Sequence, residues 1–234
     1  MNMSKKIVGL TLLLLLGNGV SVAADFSKGL QAAQSGDFKT SLAEWTPLAE
    51  QGNAMAQFNL GNMYANGYGV PENDKTAVKW FTKAAEQGLA EGQFNLGAMY
   101  DFGDGVPEND KTAVKWYTLA AEQGYAHAQY QLGIMYANGR GVPENDKTAV
   151  KWYTLAAEQG YAIAQRYLGA MHDFGDGVPE NDKTAVKWYN LASYNGNEKA
   201  GENKDKIAKQ MAPTDISKAQ DMSSLCLESN YTDC

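Results

Sequence analysis

The sequence is short of the residues that most active sites and nucleic-acid surfaces depend on. It holds two histidines, two cysteines and six prolines in 234 residues. His127 and His172, with Cys226 and Cys234 at the far end of the chain, are too few and too scattered to make a metal site, so neither metal nor cofactor is expected. Acidic residues outnumber basic ones, 27 to 20, and an acidic surface repels phosphate backbones and anionic lipid. That argues against nucleic acid as a partner. Ser-x-x-Lys, Lys-Thr-Gly and Gly-x-Ser-x-Gly are all missing, which counts against β-lactam chemistry and the hydrolase nucleophile elbow. Asp101-Phe102-Gly103 and Asp173-Phe174-Gly175 spell the metal-binding triplet of kinases, but no glycine-rich phosphate loop or catalytic loop accompanies them. The acidic residues around Asp104 lack EF-hand spacing.

Long apolar runs are equally scarce. The one that exists spans residues 7–16, follows Lys5 and Lys6, is broken at Gly17-Asn18-Gly19, and precedes the small residues Ser21 to Ala24. That order is a secretory signal peptide over residues 1–24; ten residues fall short of the roughly 20 a membrane-crossing helix needs. Cleavage leaves a periplasmic or secreted chain with no stable membrane insertion. Lys5 and Lys6 are the only charges removed, so the formal charge moves from −7 to −9. In an oxidising compartment Cys226 and Cys234 can close a small loop worth about 2–3 kcal/mol; free thiols are the alternative.

What the chain has in abundance is itself. Gly-Val-Pro-Glu-Asn-Asp-Lys-Thr-Ala-Val-Lys-Trp starts unchanged at Gly69, Gly105, Gly141 and Gly177. A 36-residue period marks units that bury their apolar faces only on their neighbours. Units are read at residues 53–88, 89–124, 125–160 and 161–196, between capping segments at 25–52 and 197–234. Within 53–88, Ala56, Leu60, Met63 and Tyr64 recur at helical spacing, Gly67 and Gly69 end that helix, and Asp74 is expected to cap a second one. Its buried side is read as Ala77, Trp80, Phe81, Ala84 and Ala85. No segment alternates as a strand does, so the fold is all-α. Gly61, Gly97, Gly133 and Gly169 fall mid-helix, at about 1 kcal/mol each relative to alanine, which implies close approach of a neighbouring helix. The repeated tryptophans are expected to plug gaps between units, with Trp116→Ala costing about 3–5 kcal/mol. Residues 25–51 form a shorter hairpin; after 197, two helices stapled by the cysteines form the terminal cap.

Leu60-Gly61, Tyr64, Gly67-Tyr68-Gly69-Val70, Asp74, Ala77, Ala84-Ala85 and Gly88, recurring through Leu96-Gly97, Leu132-Gly133 and Leu168-Gly169, resemble the Sel1-like repeats, a subgroup of the tetratricopeptide-like α-solenoids. The resemblance covers residues 37–200 and implies a right-handed superhelix whose first helices line the concave side, in proteins that act as adaptors.

The copies also serve as controls for one another. Second helices scarcely vary, whereas the first helices differ at 55, 58, 59, 62 and 66 and their equivalents, all on one stripe. That stripe carries Met55, Phe58, Asn59 and Asn62; Glu91, Phe94, Asn95 and Phe102; His127, Tyr130, Gln131, Ile134 and Asn138; and Ile163, Arg166, Tyr167 and Phe174. Rings and amides interleaved in this way suit recognition, and neutral drift on a solvated face is the competing explanation. The first expectation is a non-enzymatic adaptor that holds a protein or peptide in the concave groove. The alternative is a cell-wall glycan-binding module, or an envelope enzyme acting on peptidoglycan or β-lactam-like substrates. His172, where the other copies have tyrosine, is read as a core or rim residue; His127, with Glu91 one unit away, is read as a contact to a protein or peptide.

Overall fold

In a computed structural model, which describes residues 24–232 and 234, each 36-residue copy closes into a helical hairpin. The described residues form twelve helices and no strand. A shorter hairpin comes first, α1 (Phe26–Gln34) and α2 (Phe38–Glu50). Four full ones follow: α3 (Ala54–Asn66) with α4 (Asp74–Glu86), α5 (Ala90–Phe102) with α6 (Asp110–Glu122), α7 (Ala126–Ala137) with α8 (Asp146–Ala157), and α9 (Ala162–Phe174) with α10 (Asp182–Tyr194). α11 (Glu198–Ala208) and α12 (Pro213–Glu228) end the chain. Each second helix packs on its own partner and on the first helix of the next unit. The result is an α-solenoid.

The unchanged loop string sets the start of every second helix. Asn73, extended at φ −157°, accepts the Thr76 N–H at 2.9 Å, and Asn109, Asn145 and Asn181 repeat the bond. The cap is therefore the asparagine and not Asp74 or Asp110, which begin the helix proper. There their carboxylates meet the positive end of the helix dipole instead. Gly105, at φ +70°, has no room for a side chain: a Cβ would lie 2.5 Å from the Asp74 carbonyl carbon of the preceding unit.

The mid-helix glycines have a different cause. A Cβ on Gly133 would lie 2.3 Å from the Tyr153 ring, and Phe81, Tyr117 and Tyr189 lie against Gly61, Gly97 and Gly169 in the same way. Trp45 sits on Gly29 likewise, so α1 and α2 repeat the hairpin with a shorter connection. Phe81, Tyr117, Tyr153 and Tyr189 are fully buried, each worth roughly 1.5–3 kcal/mol of transfer free energy. Trp80, Trp116 and Trp152, expected on the buried side, are half-buried against clusters shared by the preceding unit's second helix and their own unit's first helix. They do sit between units, but the 3–5 kcal/mol of a fully enclosed cavity belongs to Tyr117 and its equivalents, not to Trp116.

Polar links tie the units in series. Gln57 Nε2 donates to the Ala49 carbonyl at the end of α2 (2.9 Å), and Gln57 Oε1 accepts from Gln87 Nε2 (2.7 Å). Gln93, Gln129 and Gln165 repeat the first bond, and Gln123, Gln159 and Asn195 repeat the second. Each of these helix-end carbonyls also accepts the N–H of the glycine three residues on, so the glutamine amide takes up its second lone pair. A second link is confined to one junction. Arg140 Nη2 donates to Asp101 (2.5 Å) and Asp110 (2.7 Å), and Asp101, buried, also accepts from the Tyr117 hydroxyl at 3.2 Å. The same position in the first full unit is Tyr68, which stacks on Phe38 at 4.8 Å. Asp173, the counterpart of Asp101, accepts from the Tyr189 hydroxyl at 3.4 Å and has the Lys206 charge nearby. Desolvation first, then Asp182 and Glu180 nearby, raise its carboxyl above the ordinary value.

The cysteines are joined, Cys226 to Cys234, with Cα atoms 4.7 Å apart, which removes the free-thiol alternative. The proposed signal peptide lies, but for Ala24, outside the described residues. No helix among the described residues is long and apolar enough to cross a membrane.

Candidate functional site

The variable stripe falls on the first helices, α3, α5, α7 and α9, and none of its members is buried. Met55, Phe102, His127, Asn138, Ile163 and Phe174 are exposed; Phe58, Asn59, Asn62, Glu91, Phe94, Asn95, Tyr130, Gln131, Ile134, Arg166 and Tyr167 are half-buried. Half-burial has a simple cause. Phe58, Phe94 and Tyr130 each rest on the buried ring of their own unit, Phe81, Tyr117 and Tyr153, at 6.1, 5.6 and 6.0 Å between centroids. One side of each ring is packed and the other faces outward.

Across units the rings form one run. Phe94 meets Tyr125 (5.3 Å) and His127 (5.9 Å); His127 meets Tyr161 (4.8 Å); Tyr161 meets Tyr130 (5.5 Å); and Tyr130 meets Tyr167 (5.6 Å). Interplanar angles between 55° and 61° make these tilted contacts, the favoured geometry for aromatic pairs. Arg166 closes the run with its guanidinium 4.4 Å from the Tyr167 centroid, a cation–π arrangement. The surface thus spans α5 to α9 with apolar area, a cation and phenol hydroxyls. Burial pushes the Tyr130 phenol up, with Tyr167 adding to the shift. Burial also raises Tyr125, Glu91 contributing next, and Tyr161. These hydroxyls stay neutral at physiological pH and can both donate and accept.

Tyr125 and Tyr161 are central to the run and absent from the sequence-derived stripe. Both precede their helices, as the N-cap residues of α7 and α9, so helical periodicity did not reach them. Their signal was available as copy-to-copy difference: Asn53, Leu89, Tyr125 and Tyr161 occupy one repeat position. Other members contribute less than their residue types imply. Asn95 and Asn138 each donate a side-chain N–H to a carbonyl one turn back, Glu91 and Ile134. Phe102 and Phe174, 64% and 71% exposed, lie at the ends of α5 and α9, apart from the run. His172 is half-buried; desolvation, then the Lys187 charge, lower its pKa and favour the neutral ring.

Tandem helical hairpins with constant packing between them and a variable, partly exposed stripe along their first helices define a solenoid repeat protein. The Sel1 repeat family matches four times, at residues 54–89, 90–125, 126–161 and 162–197, and the chain belongs to that family. A Sel1 repeat protein from Oxalobacter formigenes is 36% identical, with a TM-score of 0.71 over 75% of this chain and 72% of that one. A protective antigen of uropathogenic Escherichia coli with an SLR fold is 29% identical, TM-score 0.54, over 89% of this chain and 54% of that one. An immunity protein from Pseudomonas aeruginosa shares the fold at 21% identity, TM-score 0.51, over 89% and 83%. Among curated proteins none matches. Sel1 repeat proteins are typically protein-interaction modules and are generally non-enzymatic.

Proposed function

We propose that this chain is an exported adaptor, periplasmic or secreted, that binds an extended protein or peptide segment along the inner face made by α3, α5, α7 and α9. The unbroken ring run from Phe94 through Tyr125, His127, Tyr161 and Tyr130 to Tyr167 carries the proposal. It coincides with the face on which the copies differ, while the faces that bury apolar area are constant. Selection for packing alone does not favour aromatic variety at half-buried positions, and contiguous apolar surface of this kind marks interaction sites. The Cys226–Cys234 disulfide fits an oxidising compartment, in keeping with the sequence of residues 1–24.

Two exposed positions, one beside the ring run and one within it, test the assignment while leaving the buried rings beneath in place. Peptides selected by display against residues 25–234 should lose at least about tenfold in affinity to Ile163→Glu, about 1.4 kcal/mol, and measurably to His127→Ala. Equal affinity for wild type and both variants refutes the groove. Co-sedimentation with purified peptidoglycan that His127→Ala abolishes would replace peptide by glycan as the ligand.

A further inference from the structure

The second helices carry another repeated surface, and in the last unit it is covered. α12 lies along α10 in the same direction. Asp215 near its start is 3.6 Å from Lys183, Ser223 accepts from Asn190 Nδ2 at 3.3 Å, and Tyr231 beyond its end accepts from Asn195 Nδ2 at 2.6 Å. The contact stripe of α12 is small: Ala219, Ser223 and Cys226, spaced four and three apart, all buried. Lys187 Nζ donates to the backbone oxygen of Cys234. Cys226 shares an apolar cluster with Trp188 and Leu191, and Leu227 and Tyr231 pack against it.

α6 and α8 present the surface that α12 covers on α10. Val186-Lys187-Trp188 and Leu191 recur as Val114-Lys115-Trp116 and Leu119, and as Val150-Lys151-Trp152 and Leu155. Beneath α12, Leu191 is 0% exposed, whereas Leu119 and Leu155 are 37% and 44% exposed. Lys187 is buried; Lys115 and Lys151 are exposed. A depression of about 320 Å³ on the third full unit is lined by Tyr136, Thr148, Lys151, Trp152 and Leu155. One of about 600 Å³ occupies the equivalent place beside Trp80 on the first.

We infer that the outer faces of α6 and α8 dock an amphipathic helix of a partner protein, seated parallel to them as α12 is seated on α10. The internal repeat specifies that helix. Its contact stripe consists of alanine, serine or cysteine at four-and-three spacing, as Ala219, Ser223 and Cys226 are in α12, with a larger apolar residue in the place of Leu227 beside it. A carboxylate in its first turn meets Lys111 or Lys147, the counterparts of Lys183. Carbonyls at its end meet Lys115 or Lys151. The face is separate from the ring run and does not depend on it.

A disulfide-closed synthetic peptide of residues 212–234, labelled at its amino end, is the probe, and the chain of residues 25–234 is the receptor. Fluorescence anisotropy should show saturable binding that Leu119→Glu/Leu155→Glu weakens at least about tenfold. His127→Ala/Ile163→Glu should leave it unchanged, which separates this surface from the inner face. Absence of saturable binding up to about 1 mM overturns the inference. So does affinity unaltered by Leu119→Glu/Leu155→Glu, since the peptide would then be exchanging with α12 on α10. A concentration-dependent dimer in light scattering that the same pair of substitutions abolishes overturns the partner assignment and makes a second copy the occupant.

Discussion

Glycine-to-alanine substitution inside a helix ordinarily stabilises, by about 1 kcal/mol. At Gly133 it should do the opposite. The new Cβ would meet Tyr153 Cε1, Cδ1 and Cζ at 2.3, 2.5 and 2.8 Å, and Tyr153 is fully buried with nowhere to withdraw. Overpacking of a core costs about 1–3 kcal/mol. Three ring atoms inside contact distance place this site at the top of that range, so the net loss is about 2 kcal/mol after the helix-propensity gain. Gly201 is the internal control. It too lies mid-helix, but its nearest obstacle is Ser193 Oγ at 3.6 Å, ordinary van der Waals contact, so Gly201→Ala should gain about 0.5–1 kcal/mol. For a chain of this size 1 kcal/mol moves Tm by about 2–4 °C. Thermal unfolding followed by circular dichroism should therefore show Gly133→Ala melting about 4–8 °C lower and Gly201→Ala slightly higher than wild type. If both substitutions raise Tm, the mid-helix glycines are not there to admit the rings, and the packing account is wrong.

Three further outcomes follow from other contacts. Arg140→Ala leaves the Asp101 carboxylate, buried and still held by Tyr117, without its cation; urea unfolding should show a loss of about 2–3 kcal/mol, largely restored by adding Asp101→Asn. Reducing Cys226–Cys234 should release α12 from α10 at a cost of about 2–3 kcal/mol, and tryptophan emission should shift to the red as Trp188 is uncovered. Glu44 is held below the usual carboxylate range by the Lys28 hydrogen bond first and the Asp25 N–H second. A lowered folded-state pKa contributes stability that is present above the ordinary glutamate value of 4.5 and is lost as pH falls through the folded value. Acid titration of the urea midpoint should accordingly be shallower in Glu44→Gln than in wild type.

The fold was open to sequence inspection because four near-identical copies force four near-identical hairpins, and the period shows where one ends. Details settled by a single atom's reach were harder. Asn73 and Asp74 are both good capping residues, and only the extended backbone at Asn73 decides between them. The tryptophans stood out by size and regularity, yet the fully buried ring is the neighbour one residue on, Phe81 or Tyr117, because it is the one that meets a glycine. On the candidate face, helical spacing found the stripe but stopped at the helix start, which hid Tyr125 and Tyr161. The seat of α12 was not legible at all. Its contact stripe of alanine, serine and cysteine looks like any small-residue pattern until the ridge it fits is known.

The Arg140 bridge also bears on how such an array can change its length. Arg140 reaches backward to a carboxylate that the first and third full units lack, since Ala65 and Ala137 stand where Asp101 and Asp173 do. Losing or gaining one copy would set like beside like at some junction and strand a half-enclosed charge. Repeating the third and fourth copies after the fourth would instead set an arginine opposite Asp173, which at present has the Lys206 charge nearby. Growth in steps of two is thus favoured by the chemistry of a single junction.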